Sequence, residues 1–193
     1  MRFLRAASAG FRCVASILKE MASRNKIDRA PTAETLIQWD MKIGLYKLER
    51  PKAASGGWIW MADHVIRLGV YKCFVIVGVR MTTLLAKKDF TVSLEDLEPI
   101  TILPMEVSNG IEVARRLEET VQKVGFSPDA LVIDHGSDLF SGARLFCENH
   151  PGTKLKYDVC HKVACELKKR LNKNPLWERM TLGATQTKKA LSL

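Results

Sequence analysis

Apolar residues at the start of the chain recur at helical spacing. A polar break over residues 23–30 follows, and Thr32 then offers a favourable N-cap for a second helix, which we expect to end at Gly44. Two short helices joined by a turn are compatible with a helix-turn-helix and equally with a helical appendage that only packs. The apolar positions are Leu4, Phe11, Val14, Leu18 and Met21 in the first helix and Leu36, Trp39 and Ile43 in the second.

A linker and five strands are predicted next. Residues 51–57 combine Pro, Ser and two Gly, so we place a domain boundary there, between a helical segment at 1–50 and a core at 58–172. Residues 173–193 resemble the first helices of a further, incomplete domain. The predicted strands are 58–63, 71–80, 100–105, 130–134 and 154–157.

Three helices alternate with the later strands. Asn109 is expected to cap the first, with Ile111 and Leu117 on its buried face, and Gly125 to end it. The second begins at Ser137 or Asp138. The third buries Val163, Leu167 and Leu171. The order β-β-β-α-β-α-β-α predicts an α/β protein with a mixed sheet covered by helices on both faces, as in the ribonuclease-H-like fold.

Composition restricts the class of protein. The 193 residues are 47% hydrophobic, enough to fill a core, and no apolar run approaches the roughly 20 residues that cross a bilayer. Five cysteines, an odd number beside apolar positions, suit reduced thiols in a cytoplasmic protein. The N-terminal stretch carries Arg and Ser and no acid before Glu20, so a transit peptide is the alternative.

The net charge of +9 is distributed unevenly. Residues 1–52 carry +6, from 11 Lys and Arg against 5 Asp and Glu; residues 53–142 carry −4, from 8 against 12; and residues 143–193 carry +7, from 11 against 4. Basic flanks around an acidic centre suit a protein that binds a polyanion and presents carboxylates to metal ions. Ordinary solvated charge gives the same totals.

Two aspartates each close an apolar run. Asp63 follows Trp-Ile-Trp-Met-Ala and Asp134 follows Ala-Leu-Val-Ile. In the predicted strand order these two runs are neighbours, so both carboxylates project from one end of the sheet. Two close carboxylates repel unless a cation lies between them, and oxygen ligands favour Mg²⁺ or Mn²⁺. Each Asp alone is as readily a turn-forming residue.

The motifs around these acids resemble those of the insertion-bearing, cut-and-paste DDE DNA transposases. The resemblance rests on Asp63-His64 followed by Gly69, on Val-Ile-Asp134-His-Gly-Ser-Asp, and on Tyr-Asp158-Val-Cys-His161-Lys, and it extends over residues 58–171. It implies that Asp63 and Asp134 are catalytic, metal-binding acids. It also implies that Asp158 and His161 form the family motif after the fifth strand, although Asp158 also sits where a helix N-cap belongs.

The third acid of this group, a Glu beyond an insertion domain, has no clear counterpart. Glu166 is a candidate substitute, but it lies off the predicted buried face, which makes an absent Glu the preferred interpretation. We therefore expect a C-terminally truncated transposase fragment that binds double-stranded DNA at transposon ends weakly and does not transpose it. The basic residues that are candidates for DNA contact are Arg12, Lys19, Lys42, Lys162, Lys168 and Lys169.

Two other functions stay open. One is a non-catalytic DNA-binding regulator with the same fold, and the other is a ribonuclease-H-like nuclease or resolvase with a complete acid cluster. The resemblance further implies a bacterial, nucleoid-associated protein in the cytoplasm, with no membrane partner, and a homo-oligomer is compatible with it.

Overall fold

The structure is a computed structural model that describes residues 10–26, 29–68, 71–134 and 136–191. Leu4, Gly69 and His135, which the sequence motifs include, lie outside the described residues. The chain divides into two compact units, one up to Lys52 and one from Ala53. No helix within the described ranges has both the length and the apolar character that a membrane span requires.

The first unit contains helix α1 (Phe11–Arg24) and helix α2 (Ala33–Glu49). Thr32 caps α2 as predicted, its side chain accepting a hydrogen bond from the Thr35 amide at 3.3 Å. The prediction that Gly44 ends this helix is wrong, because α2 continues to Glu49. A single Gly costs a helix only about 1 kcal/mol, whereas Pro51, two positions beyond the last helical residue, cannot continue the pattern.

Few side chains of this unit are buried. Val14, Ala22 and Leu36 are buried, whereas Met21, Trp39 and Ile43 are exposed, so the predicted apolar faces are only partly correct. The first unit contains only α1 and α2 among the described helices, so each helix can bury only the side chains that face the other.

The second unit contains five strands. They are β1 (Trp58–Leu68), β2 (Tyr71–Arg80), β3 (Glu98–Met105), β4 (Ala130–Ile133) and β5 (Lys154–Tyr157). Its helices are α3 (Met81–Leu85), which the sequence did not predict, α4 (Gly110–Val124), α5 (Ser137–Asn149), α6 (Val159–Leu171) and α7 (Pro175–Leu191).

The five strands form one mixed sheet in the order β3-β2-β1-β4-β5. β1, β2 and β3 pair antiparallel, while β4 pairs parallel to β1 and β5 parallel to β4. A meander of three strands extended by two parallel strands, each reached through a helix, is the ribonuclease-H-like arrangement. The predicted fold class is confirmed.

One face of the sheet carries the core. Trp58, Trp60 and Ala62 alternate along β1 as buried residues, as expected for a strand with a period of two. Val113 and Leu117 of α4 and Leu139, Ala143 and Phe146 of α5 belong to the same hydrophobic cluster. The prediction that Ile111 faces inward is wrong, because its side chain is 77% exposed.

A tight turn fixes the start of β1 beside β4. The Trp58 amide donates to Asp129 Oδ2 at 2.7 Å, and the Asp129 amide donates back to the Trp58 carbonyl at 2.8 Å. Gly57 has φ +69°, and a Cβ there would lie 2.7 Å from the same Asp129 oxygen. A larger residue at position 57 would be strained by the positive φ and crowded by Asp129, so Gly at this position allows the two bonds between residues 58 and 129.

Helices α6 and α7 bury little. The prediction that Val163 and Leu167 face the core is wrong, because both are about half exposed, and Leu171 is only partly buried. The sheet already buries its core face against α4 and α5. The apolar spacing of α6 is real, but none of its residues is buried within the described part of the chain.

Candidate active site

Three aspartates follow one row of the sheet. Ala62, Ile133 and Tyr157 are successive partners across β1, β4 and β5, and Asp63, Asp134 and Asp158 each come one position later. Neighbouring strands lie roughly 4.8 Å apart, so this row brings all three acids to the same end of the parallel strands. The structure places Asp63 and Asp134 after neighbouring residues of β1 and β4, as the predicted strand order implies.

The prediction that Asp63 ends its strand is wrong. β1 continues to Leu68 because it keeps its antiparallel pairing with β2, whereas its parallel pairing with β4 stops at Ala62. The Asp63 side chain is exposed, and its Oδ1 accepts a hydrogen bond from the His64 amide at 2.6 Å. No described residue donates to the other carboxylate oxygen.

Asp134 comes directly after β4 and is half-buried. Its Oδ1 accepts from the Gly136 amide at 3.0 Å, which is the short-range bond of an Asx turn. The turn interpretation and the metal-site interpretation are compatible, because within the described ranges the second oxygen has no hydrogen-bond donor.

Asp158 acts as a helix cap. Its amide donates to the Ile133 carbonyl at 2.9 Å, which fixes it beside the end of β4, and its Oδ1 accepts from the His161 amide at 3.1 Å. His161 itself is exposed in the first turn of α6. Burial raises the pKa of Tyr157, and the charges of Cys165, Asp134 and Asp158 raise this pKa further.

A second group of polar side chains lies next to Asp63. His64 Nε2 is 3.2 Å from Ser108 Oγ, and Ser108 Oγ donates a short hydrogen bond to Asp138 Oδ2. His64 Nδ1 lies 3.9 Å from the same Asp138 oxygen. The imidazole also packs on Phe74, with ring centroids 5.6 Å apart.

The charges of this group depend on its burial. Burial lowers the pKa of His64, an effect that the Asp138, Asp63 and Asp134 carboxylates oppose without reversing. Burial by itself would raise the pKa of Asp138, but the hydrogen bonds from Ser108 and the Leu139 amide, together with His64, hold it below its usual value. The imidazole is therefore neutral and Asp138 is ionised at neutral pH.

The remaining predicted residues lie on exposed helix surfaces. Glu166 is on α6 and pairs with Lys169, whose Nζ is 2.8 Å from Glu166 Oε1, and this hydrogen bond lowers the pKa of Glu166. Lys162 Nζ lies 5.6 Å from the centre of the Tyr157 ring, beside the row of acids. The other candidates for DNA contact are exposed on the helices of both units: Arg12, Lys19, Lys42 and Lys168.

The acids at the strand ends suit a weakly held Mg²⁺ or Mn²⁺. Asp63 and Asp134 each keep one carboxylate oxygen without a described donor, and Mg²⁺ is commonly bound by one or two carboxylates while it retains several waters. Among the residues that the structure describes, no group of three or more His, Cys, Asp or Glu is arranged to hold a metal ion.

The sequence does not predict the contact between Ser108 and Asp138. Local signals indicate Asp138 only as a possible helix start and His64 only as part of a motif. Ser108 and Asp138 are 30 positions apart, and no spacing rule brings them together. Their helices pack closely because Gly110 and Gly142 meet, since a Cβ on Gly142 would lie 2.7 Å from the Gly110 carbonyl oxygen.

No protein-family model matches the sequence, and no curated protein matches it. Among solved structures, the chain is similar to a chain of the simian T-cell lymphotropic virus intasome in complex with PP2A regulatory subunit B56 gamma, with a TM-score of 0.38 and 12% identity over 68% of this chain and 44% of that one. It is also similar to the HTLV-2 integrase catalytic core domain in complex with magnesium, in its trimeric form, with a TM-score of 0.36 and 16% identity over 66% of this chain and 76% of that one. The chain thus spans less than half of the first of these chains, and likenesses this distant carry no argument about its activity.

Proposed function

We propose that this chain carries two acids of a metal-dependent polynucleotidyl-transferase site of the DDE transposase type, and that it binds double-stranded DNA there. The observation that supports the proposal is the pairing of Ala62 with Ile133 in neighbouring parallel strands. Asp63 directly follows Ala62 and Asp134 directly follows Ile133, so the two acids lie side by side just beyond this pair. The site would take Mg²⁺ or Mn²⁺, because both proposed ligands are carboxylate oxygens.

Each side chain then has a definite task. Asp63 and Asp134 would hold a divalent ion, which when bound would supply Lewis-acid activation and charge neutralisation at a phosphodiester. The amides of His64 and Gly136 fix one oxygen of each carboxylate and leave the other oxygen for the ion. Lys162 lies near Tyr157 at the end of β5, and α6 carries further basic residues in its last turn; these side chains would contact the DNA backbone.

Strand transfer by these residues alone is not expected. Glu166, the candidate third acid, is 55% exposed, and its carboxylate forms an ion pair with Lys169. Loss of one metal-binding carboxylate leaves a second ion unfixed. We expect DNA binding that a divalent ion strengthens, without transposition.

The second candidate is a regulator that binds DNA and has no metal chemistry. It is favoured by the lack of a described group of three metal-binding side chains. It predicts DNA binding that is unaffected by Mn²⁺ and by substitution of Asp63 or Asp134.

Mn²⁺ binding tests the first proposal. The fraction of free Mn²⁺ is measured by electron paramagnetic resonance for the wild type, Asp63→Ala and Asp134→Ala, with Glu148→Ala as control because Glu148 is an exposed acid at the far end of α5. We expect either site variant to weaken Mn²⁺ binding by about tenfold or more and the control to bind as the wild type does. Equal Mn²⁺ binding by all four proteins would refute the proposal.

DNA binding and cleavage separate the two candidates. Fluorescence anisotropy with a DNA duplex is measured with and without Mn²⁺, and plasmid nicking is assayed in the same buffer. A Mn²⁺-dependent gain in affinity that both alanine variants lose supports the metal site. Metal-dependent nicking that both variants lose would further show that two acids suffice for cleavage.

A further inference from the structure

His64, Ser108 and Asp138 form a connected group that the proposed metal site does not use directly. The His64 side chain is 13% exposed and that of Asp138 is 23% exposed. The group joins the end of the sheet to two helices, since Ser108 immediately precedes the Asn109 cap of α4 and Asp138 lies in the first turn of α5.

The group is held by close packing of two helices. A Cβ on Gly110 would lie 2.2 Å from Ser141 Oγ, and a Cβ on Gly142 would lie 2.6 Å from the Val113 Cβ. The beginnings of α4 and α5 therefore approach each other more closely than larger residues allow. This approach brings Ser108 within hydrogen-bonding reach of Asp138.

The backbone beside Asp63 needs such support. The register of β1 with β2 shifts between His64 and Ile66, so the ladder is irregular immediately after His64. The parallel ladder with β4 has already stopped at Ala62. The strand alternation puts the Asp63 side chain on one face and the His64 side chain on the other, among the core residues.

The His64 amide is the link to the proposed site. It donates to Asp63 Oδ1 at 2.6 Å, while the His64 ring is held by Phe74 on one side and by Ser108 on the other. A fixed ring fixes the backbone of residue 64, and this backbone orients one oxygen of the Asp63 carboxylate.

We propose that Asp138 is a positioning residue: through Ser108 and His64 it holds the His64 amide against Asp63 Oδ1 and so orients the Asp63 carboxylate for its ion. This inference rests on the proposed function for the ion, but the orientation of Asp63 is measurable without any metal. Asp138 acts through other residues and is not itself a ligand.

The experiment compares Asp138→Ala, Asp138→Asn and Ser108→Ala, with Glu148→Ala as the control. The first readout is the amide proton shift of His64 in ¹⁵N-labelled, metal-free protein, because a short hydrogen bond to a carboxylate moves this resonance downfield. We expect Asp138→Ala and Ser108→Ala to move it upfield. Asp138→Asn retains an acceptor for Ser108 and should leave it near its wild-type position.

The second readout is Mn²⁺ affinity. Asp138→Ala should weaken it by about tenfold, as loss of a supporting group typically does, and Asp138→Asn should restore most of the loss. If Asp138 were a ligand instead, Asp138→Asn would also weaken Mn²⁺ binding strongly, because a neutral amide oxygen binds Mn²⁺ more weakly than a carboxylate, and this result would overturn the positioning role. Should Asp138→Ala not fold, Ser108→Ala makes the same test with a smaller change.

The two proposals fail in different ways. A His64 amide shift that stays unchanged in Asp138→Ala and Ser108→Ala overturns the positioning role, whatever the metal binding shows. A wild type that binds no Mn²⁺ refutes the proposed function, while an upfield His64 amide in the same variants still supports the orientation of Asp63 by Asp138.

Discussion

Ala62 and Ile133 lie directly opposite each other as the last pair of the parallel ladder between β1 and β4. Both are buried, and an aspartate follows each of them. The end of this ladder therefore presents two carboxylates from neighbouring strands beside the amides of His64 and Gly136.

The first prediction concerns repulsion between the two acids. Without a divalent ion, Asp63→Asn or Asp134→Asn removes one of two like charges and keeps an oxygen acceptor for the neighbouring amide. We expect each change to raise the free energy of unfolding by up to about 1 kcal/mol, because Asp63 is exposed and water screens its interaction with Asp134. Urea unfolding in EDTA measures this change. The control Glu148→Gln, an exposed acid with a 3.7 Å contact to Arg144, should stay within about 0.5 kcal/mol of the wild type.

Removal of the metal ion should change the stability of the wild type but not that of the Asn variants. Mn²⁺ should stabilise the wild type, because an ion that binds only the folded state adds to its stability, and EDTA should reverse the gain. Asp63→Asn should show no such gain. For the prediction of repulsion, the contradicting outcome is a lower free energy of unfolding in EDTA for both Asn variants, which would mean that the two carboxylates do not repel each other.

The second prediction concerns the close approach of α4 and α5. In Gly142→Ala the new Cβ would lie 2.6 Å from the Val113 Cβ and 2.7 Å from the Gly110 carbonyl oxygen, and the backbone oxygen cannot move aside cheaply. We expect the free energy of unfolding to fall by about 1–3 kcal/mol, the usual cost of overpacking. Thermal or urea unfolding checks it.

A matched glycine provides the control. Gly183 lies inside α7, and a Cβ there would meet nothing within 4 Å. Gly183→Ala should leave stability unchanged or raise it by up to about 1 kcal/mol, because Ala is the better helix former. Equal stability of Gly142→Ala and Gly183→Ala would show that α4 and α5 are not held in close contact.

The third prediction is a pH dependence in the segment between α3 and β3. The Lys87 ammonium, together with the hydroxyl and amide of Ser93, lowers the pKa of Asp96 to about 2. Because this pKa is lower in the folded than in the unfolded chain, the stabilisation is complete above the unfolded value near 3.8 and is lost as the pH falls through about 2.

Carboxyl ¹³C titration of Asp96 measures this value. We expect a midpoint at about 2 in the wild type and a rise toward 3.8 in Lys87→Ala, which removes the largest cause of the shift. A wild-type midpoint of 3.8 would exclude the Lys87–Asp96 ion pair in solution.

The fourth prediction uses two adjacent lysines of α6. Lys169 is paired with Glu166 at 2.8 Å, whereas no described residue forms an ion pair with Lys168. If α6 contacts the DNA backbone, Lys168→Ala should reduce the slope of log affinity against log salt by about 0.9, the value for one phosphate contact. Lys169→Ala should reduce it less, because Glu166 already compensates its charge.

Fluorescence anisotropy at four or more salt concentrations gives the slopes. Glu166→Gln, which frees Lys169, should increase the slope and provides the reverse test. If the slope of log affinity against log salt concentration is identical in the wild type and in Lys168→Ala, Lys168 of α6 does not contact the DNA backbone.

Local sequence determined the elements whose signals lie within a few residues. Thr32, Asn109 and Asp158 cap their helices with side-chain bonds to amides three positions on, as their residue types favour. The runs before Asp63 and Asp134 are strands because their β-branched and aromatic residues alternate or cluster over short lengths, and the order of elements then selects the sheet.

Tertiary contacts decided which side chains are buried and which polar groups meet. Val163 and Leu167 repeat at helical spacing, yet they are half exposed, because burial requires a facing surface that the spacing of one helix does not encode. Asp63 precedes five more strand residues because β2 continues to pair with β1, which no local signal at Asp63 reveals. Ser108, Asp138 and His64 come together through tertiary packing that includes the close approach of Gly110 and Gly142, a relationship between residues distant in sequence. The sequence thus determined the acids and the strands that carry them, and the packing of two helices decided what surrounds them.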